Sequence, residues 1–405
     1  MIKGADHMSL NETPSANRVH IGIFGRRNAG KSSVMNALTN QNIAIVSDVL
    51  GTTTDPVVKA MELLPIGPVV MIDTPGIDDE GELGSLRVKK SYQMLNKTDI
   101  AVVVLDGESE SPEDTALIDK IKQKNIPLVI FHNKTDAPQN VHKNEGHFYG
   151  SALNRVGIDE LKAEIVRLAQ TPEPERKIVG DLLDSLDVAV LVVPIDAAAP
   201  KGRLILPQQQ TIRDILEAGG ISIVVRETEL AEALPKLSAK PKIVITDSQA
   251  FGKVSKIVPS DILLTSFSIL FARYKGNLET AVRGAKALDS LKDGDKVLIS
   301  EGCTHHRQCG DIGTVKLPAW VKKHTGKDVE FVFTSGTEFS DDLSGYALAI
   351  HCGGCMLNER EMKYRYAYAA EQGLPITNYG IAIAHMHGIL KRSVEPFEDI
   401  RKILE

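Results

Sequence analysis

Short, continuously apolar runs recur along this chain and alternate with stretches whose apolar residues return at helical spacing. Runs bounded by turn residues read as strands buried on both faces, and strand–helix alternation reads as a mostly parallel sheet covered by helices. In the first part strands are predicted at Val19–Phe24, Val57–Leu64, Val69–Ile72, Ile100–Leu105 and Pro127–His132. Thr171–Lys177 is charged and holds two prolines, so it reads as a linker. Beyond it, strands are predicted at Val188–Pro194, Ile221–Val225, Lys242–Thr246 and Ile262–Thr265, with helical runs at Gln208–Ala218, Glu227–Leu237 and Gln249–Ile257. The last part predicts helices at Phe267–Tyr274, Leu278–Leu291, Leu317–Lys323, Glu359–Gln372 and Ala382–Lys391. Its strands are Asp295–Ser300, Val329–Thr334, Tyr346–Ile350 and Pro375–Asn378. The expected fold is α/β with three domains: a nucleotide-binding domain over 18–170, then parallel-sheet α/β domains over 181–265 and 266–405. A polar N-terminus, 1–17, and a linker, 171–180, complete the division.

Composition narrows the class. The chain has 405 residues, 47 basic against 53 acidic and a net charge of −6, which argues against nucleic acid as its main partner. No signal-peptide pattern and no membrane-length apolar run is present, so a cytoplasmic protein without a membrane partner is expected. His7-Met8 has the look of a cloning scar, with Met8 as the native start. All four cysteines follow residue 300 and two form Cys-x-x-Cys, which points to metal or redox chemistry and not to a disulfide framework.

The chemistry begins at Phe24–Ser33, where Gly25 and Gly30-Lys31-Ser32 fit a phosphate-binding loop between a strand and a helix-like run, Ser33–Leu38. Backbone N–H groups from Arg27, Asn28, Ala29, Gly30, Lys31, Ser32 and Ser33 can converge on phosphates, aided by the helix N-terminus. Lys31 can reach the outer phosphates and Ser32 can ligate Mg²⁺. A chance match in a glycine-containing turn is the alternative.

Later strands end in the remaining parts. Asp73-Thr74-Pro75-Gly76 offers a carboxylate to the Mg²⁺ shell and the Gly76 N–H to a γ-phosphate. Asn133-Lys134-Thr135-Asp136 offers the Asp136 carboxylate to the guanine N1–H and N2–H₂ edge, with Asn133 and Lys134 supporting the loop and base. Ser151-Ala152-Leu153 can add a backbone donor to guanine O6, and one of Thr52–Thr54, taken as Thr53, can ligate Mg²⁺. Each motif is weak alone; four in this order are specific for GTP and GDP. Residues 18–170 therefore resemble the Ras-like GTPases of the Era and tRNA-modification group. Two details support that group: Ile77 stands where a water-orienting Gln is usual, and Asn28 stands where relatives hold K⁺. The resemblance implies K⁺-stimulated, slow GTP hydrolysis. A turn residue chosen for its backbone is the alternative for Asn28.

Residues 181–265 carry no catalytic constellation. Asp196, Lys201 and Arg203 read as a solvated loop, and the domain is expected to mediate homodimer association. In the last part, Cys303 and His351-Cys352 each follow directly on a predicted strand. In a parallel sheet such positions share one edge, so the two loops can meet. Glycines beside them, Gly302, Gly353 and Gly354, allow the backbone to wrap an inorganic group. Cys303, Cys352 and Cys355 are the expected ligands of an iron–sulfur cluster with one exchangeable position. A structural zinc site or a redox thiol pair are the alternatives. His305 and His351 are candidate fourth ligands. His306, His385 and His387 read as ordinary histidines, and Cys309 as a free buried thiol.

Cys303-x-His305 followed by His351-Cys352-Gly353-Gly354-Cys355, behind such a GTPase and a middle α/β domain, resembles the hydrogenase maturation GTPases of the HydF family over about residues 18–405. That resemblance implies a dimeric scaffold with a 4Fe-4S cluster. It would receive a di-iron precursor from two radical-SAM maturases and deliver it to apo-[FeFe]-hydrogenase. An Era-like RNA- or ribosome-associated GTPase and a GTPase switch with a structural zinc remain as alternatives.

Overall fold

The structure is a computed structural model, and it describes residues 14–40, 56–79, 81–135, 146–170, 176–195, 204–302, 311–336 and 339–404. Thr52–Thr54, Asp136, Cys303, His305, His306 and Cys309 lie outside the described residues, as do Asp196, Lys201 and Arg203. The chain forms two compact units, Met1–Pro174 and Glu175–Glu405.

The first unit is built on one six-stranded sheet. Its strands are β1 (Val19–Phe24), β2 (Val57–Leu63), β3 (Gly67–Asp73), β4 (Ile100–Asp106), β5 (Leu128–Asn133) and β6 (His147–Tyr149), in the order β2-β3-β1-β4-β5-β6. All pairs are parallel except β2 with β3, which a short loop joins as an antiparallel edge. The near-continuous apolar runs of β1, β4 and β5 are buried because helices cover both faces. These are α1 (Lys31–Thr39), α2 (Gly81–Leu95), α3 (Pro112–Gln123) and α4 (Ile158–Ala169). α3 starts where Ser111 and Asp114 exchange hydrogen bonds across the first turn, with Pro112 at the first helical position, where no N–H is needed.

The second unit holds two four-stranded, wholly parallel sheets. One comprises β7 (Val188–Val192), β8 (Ile221–Val225), β9 (Ile243–Thr246) and β10 (Leu263–Ser266), in the order β10-β9-β7-β8. The other comprises β11 (Lys296–Glu301), β12 (Glu330–Ser335), β13 (Leu348–His351) and β14 (Ile376–Asn378), in the order β12-β11-β13-β14. Helices follow the strands: α5 (Leu206–Glu217), α6 (Leu230–Ala233), α7 (Phe251–Ile257), α8 (Phe267–Tyr274), α9 (Leu278–Ala285), α10 (Leu317–Thr325), α11 (Glu359–Glu371) and α12 (Tyr379–Met386).

Three expected helices are shorter than their apolar spacing suggests. The Glu227–Leu237 run is α6 and a 3-10 turn carrying Pro235, which has no N–H to continue a helix. Leu278–Leu291 is α9 followed by a 3-10 turn, Lys286–Ser290. Ala382–Lys391 breaks after α12 at Gly388, whose φ of +70° ends the helix, and a short helix restarts at Leu390–Ser393.

The two sheets of this unit share one hydrophobic core, to which Val190, Ile245, Phe251 and Leu270 contribute from one side and Ala281, Leu298, Ile376 and Ile381 from the other. Polar contacts add to it. Asn378 Nδ2 donates to Ser268 O at 3.2 Å, and Arg392 donates to Ser255 O, Val258 O and Pro259 O at 2.7–2.9 Å. No helix among the described residues is long and apolar enough to cross a membrane.

Candidate nucleotide site and cysteine loop

β1, β3 and β5 run parallel, so the loops after them emerge at one edge of the first sheet. Lys31 is buried at the start of α1, and its Nζ donates to Gly25 O at 3.0 Å and Arg26 O at 2.7 Å. Burial lowers its pKa, and Asp73, Asp78, Asp79 and Asp114 oppose that shift. Gly30 has φ +92°, a conformation an L side chain resists, and a Cβ there would lie 2.2 Å from Asn133 Nδ2. Asn28 is exposed with φ +62°, a left-handed turn position that asparagine tolerates.

Ser32 Oγ donates to Asp73 Oδ2 at 2.6 Å, so the two expected Mg²⁺ groups already meet. Asp73 is 2% exposed and its Oδ1 has no hydrogen-bond partner. Burial raises its pKa, against the Ser32 hydrogen bond and Lys31. A buried carboxylate oxygen left unpartnered beside a hydroxyl fits a divalent cation with its waters. Next to it, Asp78 Oδ1 accepts from the Arg27 N–H at 2.5 Å, tying the segment after Gly76 to the phosphate loop. Arg26 Nε donates to the buried Asp114 Oδ2 at 3.0 Å and anchors the same loop to α3.

Asn133 acts as a staple. Its Nδ2 donates to Ala29 O at 2.8 Å and its Oδ1 accepts from the Ala152 N–H at 2.9 Å. Of the backbone donors that Ser151-Ala152-Leu153 was expected to offer guanine O6, the Ala152 N–H is given to Asn133 here. Lys134 has φ +63° and pairs with Asp106 at 2.9 Å. Ser151 is buried and its Oγ accepts from the Asn154 N–H at 3.3 Å.

In the second unit, β11 and β13 are adjacent and parallel, with Ser300 opposite His351. The chain beyond Ser300 and the chain beyond His351 thus leave the sheet side by side. The Gly302 N–H points to Cys352 Sγ at 3.0 Å and the Gly354 N–H to the same sulfur at 3.4 Å. Gly302 is the chain neighbour of Cys303. Backbone N–H donors aimed at a cysteine sulfur suit a thiolate or a sulfur-ligated metal, so this donor set fits an iron–sulfur cluster. Gly354 has φ +61°, and a Cβ there would meet Met362 Sδ at 2.4 Å. Burial pushes the Cys355 thiol up to about 11, Cys352 adds to the shift and Lys275 opposes it; burial also raises Cys352, against the two glycine N–H bonds. Without a metal both cysteines are neutral thiols near neutral pH, and metal loading releases their protons.

His351 does not stand free as a fourth ligand. It is fully buried, its Nδ1 bonds to Cys352 O at 2.7 Å and its Nε2 to Arg365 Nη1 at 3.0 Å. Since Arg365 only donates and the carbonyl only accepts, His351 is neutral with its proton on Nδ1. Burial lowers its pKa to about 3, with Arg365 adding to the effect.

Two residues of this site have no signal in the sequence. Arg365, in α11, is 0% exposed; its Nε donates to Glu361 Oε1 at 2.8 Å and its Nη2 to Gly336 O at 2.8 Å. Lys275, just after α8, is 4% exposed and donates to the carbonyls of Gly354 and Leu357. Burial pushes its pKa down to about 8, against Cys355, Cys352 and Glu359. A lone lysine and a lone arginine in ordinary-looking stretches become visible only when the fold closes over them.

Residues 178–276 match the Hydrogen maturase F dimerization domain and residues 279–396 the Hydrogen maturase F tetramerization domain. The chain belongs to the hydrogen maturase F family. Residues 20–134 match the 50S ribosome-binding GTPase model, so the first unit is a Ras-like GTPase domain. Among curated proteins, the tRNA modification GTPase MnmE of Endomicrobium trichonymphae is 35% identical over 166 residues, 38% of this chain and 36% of that protein. GTPase Era of Rippkaea orientalis is 29% identical over 213 residues, 45% of this chain and 68% of that protein. The chain spans about a third of the length of the MnmE proteins it matches. A crystal structure of Era in complex with MgGDPNP and a 16S ribosomal RNA segment aligns with TM-score 0.35 and 21% identity, covering 51% of this chain and 91% of that one. The dimerization and tetramerization domains identify a family that forms oligomers.

Proposed function

We propose that this protein is a GTP-hydrolysing scaffold of [FeFe]-hydrogenase maturation. The observation that carries the reading is the paired donation of Gly302 and Gly354 N–H groups to Cys352 Sγ, in a chain whose last two domains match hydrogen maturase F. Residues 266–405 hold a 4Fe-4S cluster through Cys303, Cys352 and Cys355, and residues 181–265 form the homodimer contact. His305 remains a candidate fourth ligand. Bound at this edge, the cluster supplies an iron position open to exchange. The chain's own residues shape that position: the glycine N–H groups stabilise sulfur charge, Lys275 holds the loop carbonyls, and Arg365 fixes His351 beneath Cys352. The cargo is the di-iron precursor, received from two radical-SAM maturases and passed to apo-[FeFe]-hydrogenase in the cytoplasm.

GTP and Mg²⁺ bind at the first unit. Arg27–Ser33 and Gly76 contact phosphates, Ser32 and Thr53 hold Mg²⁺ with Asp73 behind them, and Asp136 selects guanine beside Asn133. Hydrolysis is slow and K⁺-stimulated through Asn28, and it gates partner association through order in the loops that sense the γ-phosphate. Equal turnover in Na⁺ and K⁺ buffers would remove the K⁺ role.

The test is anaerobic reconstitution followed by iron and sulfide analysis, electron paramagnetic resonance and a maturation assay with apo-hydrogenase. About four irons per chain, lost in single Cys303, Cys352 or Cys355 to Ser variants together with maturation, is the expected result. A colourless protein holding one tight zinc would leave a GTPase switch with a structural metal. An RNA-associated GTPase is the second reading, favoured by the match of residues 20–134 to a ribosome-binding GTPase model. A salt-dependent RNA shift at physiological salt would revive it.

A further inference from the structure

Away from the cysteine loop, three side chains from three separate elements converge on one point. Asp289 lies in the 3-10 turn Lys286–Ser290, His324 in the last turn of α10 and His385 in the last turn of α12. His324 Nε2 lies 2.9 Å from Asp289 Oδ1, and His385 Nε2 lies 2.9 Å from Asp289 Oδ2. Among the described residues these three offer ligand atoms that all lie within 4.8 Å of one another. The two imidazole rings stand edge to face with centroids 5.8 Å apart.

We propose that Asp289, His324 and His385 form a second metal site, for a divalent cation of the zinc class, independent of the cysteine loop. Two imidazoles and one carboxylate are the donor set such cations take when three protein ligands leave a fourth position to water. The spacing is close to what binding needs. Ligand atoms about 2.1 Å from a tetrahedral zinc stand about 3.4 Å apart, and one ligand atom from each of the three residues already lies within 4.8 Å of the others, so small side-chain shifts admit the ion. The metal takes the Nε2 lone pair of each neutral imidazole, whose proton moves to Nδ1.

Electrostatics favour a cation here. Both histidines sit at helix C-termini, where unpaired carbonyls concentrate partial negative charge. The histidine side chains are mostly shielded, 25% and 18% exposed, whereas Asp289 is 57% exposed. Counted as whole residues, Asp289 and His324 are exposed and His385 is half-buried, so the cluster lies open to a hydrated ion. A metal bound there ties the turn after α9 to α10 and α12, so it braces the helices of the last domain without entering the cluster chemistry. The sequence hides this site because the three residues are far apart in the chain and share no motif spacing.

The experiment is equilibrium dialysis of the full chain, saturated with Mg·GDP, against buffered Zn²⁺, with zinc counted per chain. Cysteine-bound zinc is common to wild type, His324→Gln, His385→Gln and Asp289→Asn, so the comparison is among these four. Each variant is expected to hold one zinc fewer per chain than wild type, while Cys352→Ser keeps that zinc. In the Co²⁺-loaded protein the wild-type minus His385→Gln difference spectrum is expected to show visible d–d bands without a sulfur-to-cobalt charge-transfer band. Far-UV circular dichroism checks that each variant folds, and Asp289→Asn, which keeps the size and one acceptor, serves if a histidine variant does not. Equal zinc in folded wild type and Asp289→Asn, or a difference spectrum carrying the thiolate band, overturns the proposal.

Discussion

Arg365 donates through Nη1 to His351 Nε2 at 3.0 Å, and neither residue has any solvent exposure. The bond leaves His351 with no nitrogen for a metal and makes it a support under Cys352. We therefore expect His351→Asn to load the same iron per chain as wild type while unfolding at lower urea. A drop in iron per chain with the fold intact would return His351 to the ligand set.

Arg365 also pairs with the buried Glu361. Arg365→Met strands that carboxylate, and breaking such a pair costs about 3–5 kcal/mol. The double variant Arg365→Met/Glu361→Met is expected to recover part of the loss, because no buried charge is left unpaired while His351 Nε2 and Gly336 O still lack the Arg365 donor. Urea unfolding of wild type, single and double variants measures this; additive losses would contradict it.

Lys275 holds the two carbonyls of the cysteine loop, Gly354 O and Leu357 O, from across the shared core. Lys275→Met leaves Leu357 O buried without its donor, a loss of about 1–3 kcal/mol, and leaves Gly354 O with the Leu357 N–H at 3.1 Å alone. Iron loading is expected to fall with it, whereas GTP turnover stays near wild type. Unchanged loading in a folded Lys275→Met protein would mean that the loop holds its shape unaided.

Gly30 and Asn133 meet at the phosphate loop. In Gly30→Ala the new methyl group collides with Asn133 Nδ2, and the φ of +92° adds about 1–3 kcal/mol of backbone strain. The Ala29–Asn133–Ala152 staple then opens, and GDP affinity is expected to fall at least about tenfold, each factor of ten being about 1.4 kcal/mol. Calorimetric titration with Mg·GDP reads it, and wild-type affinity would show that the loop relaxes at no cost.

His132 gives the pH dependence a sign. Its Nδ1 bonds to Gly107 O at 3.0 Å and its Nε2 to His147 Nδ1 at 3.0 Å, with the Tyr149 ring stacked at 4.2 Å. Burial lowers its pKa; the Gly107 hydrogen bond opposes that shift and His147 adds to it. The unfolded chain thus takes up this proton first, near the ordinary value of about 6.5. Stability is full above that value and is lost as pH falls through the window down to the folded pKa. Thermal melts between pH 7 and 5 are expected to show a falling midpoint for the GTPase unit and a shallower fall in His132→Gln. Identical slopes would assign the effect elsewhere.

The Ras-like domain and the parallel strands of the second unit were legible from the chain alone, because buried parallel strands need unbroken apolar runs and phosphate binding needs a particular glycine spacing. Helix ends were less legible: Pro235 and Gly388 cut apolar patterns that continue past them, since backbone hydrogen bonding and φ outrank side-chain period. What the tertiary structure alone decided was partnership. That Asn133 spends its amide on two loops, that Arg365 occupies His351, that Lys275 reaches the cysteine loop and that Asp289 gathers two histidines all depend on residues distant in sequence. A lone polar side chain carries no periodic signal; its role is set by which unpaired groups the packed core brings within hydrogen-bond reach, because a buried polar atom left without a partner is too costly to keep.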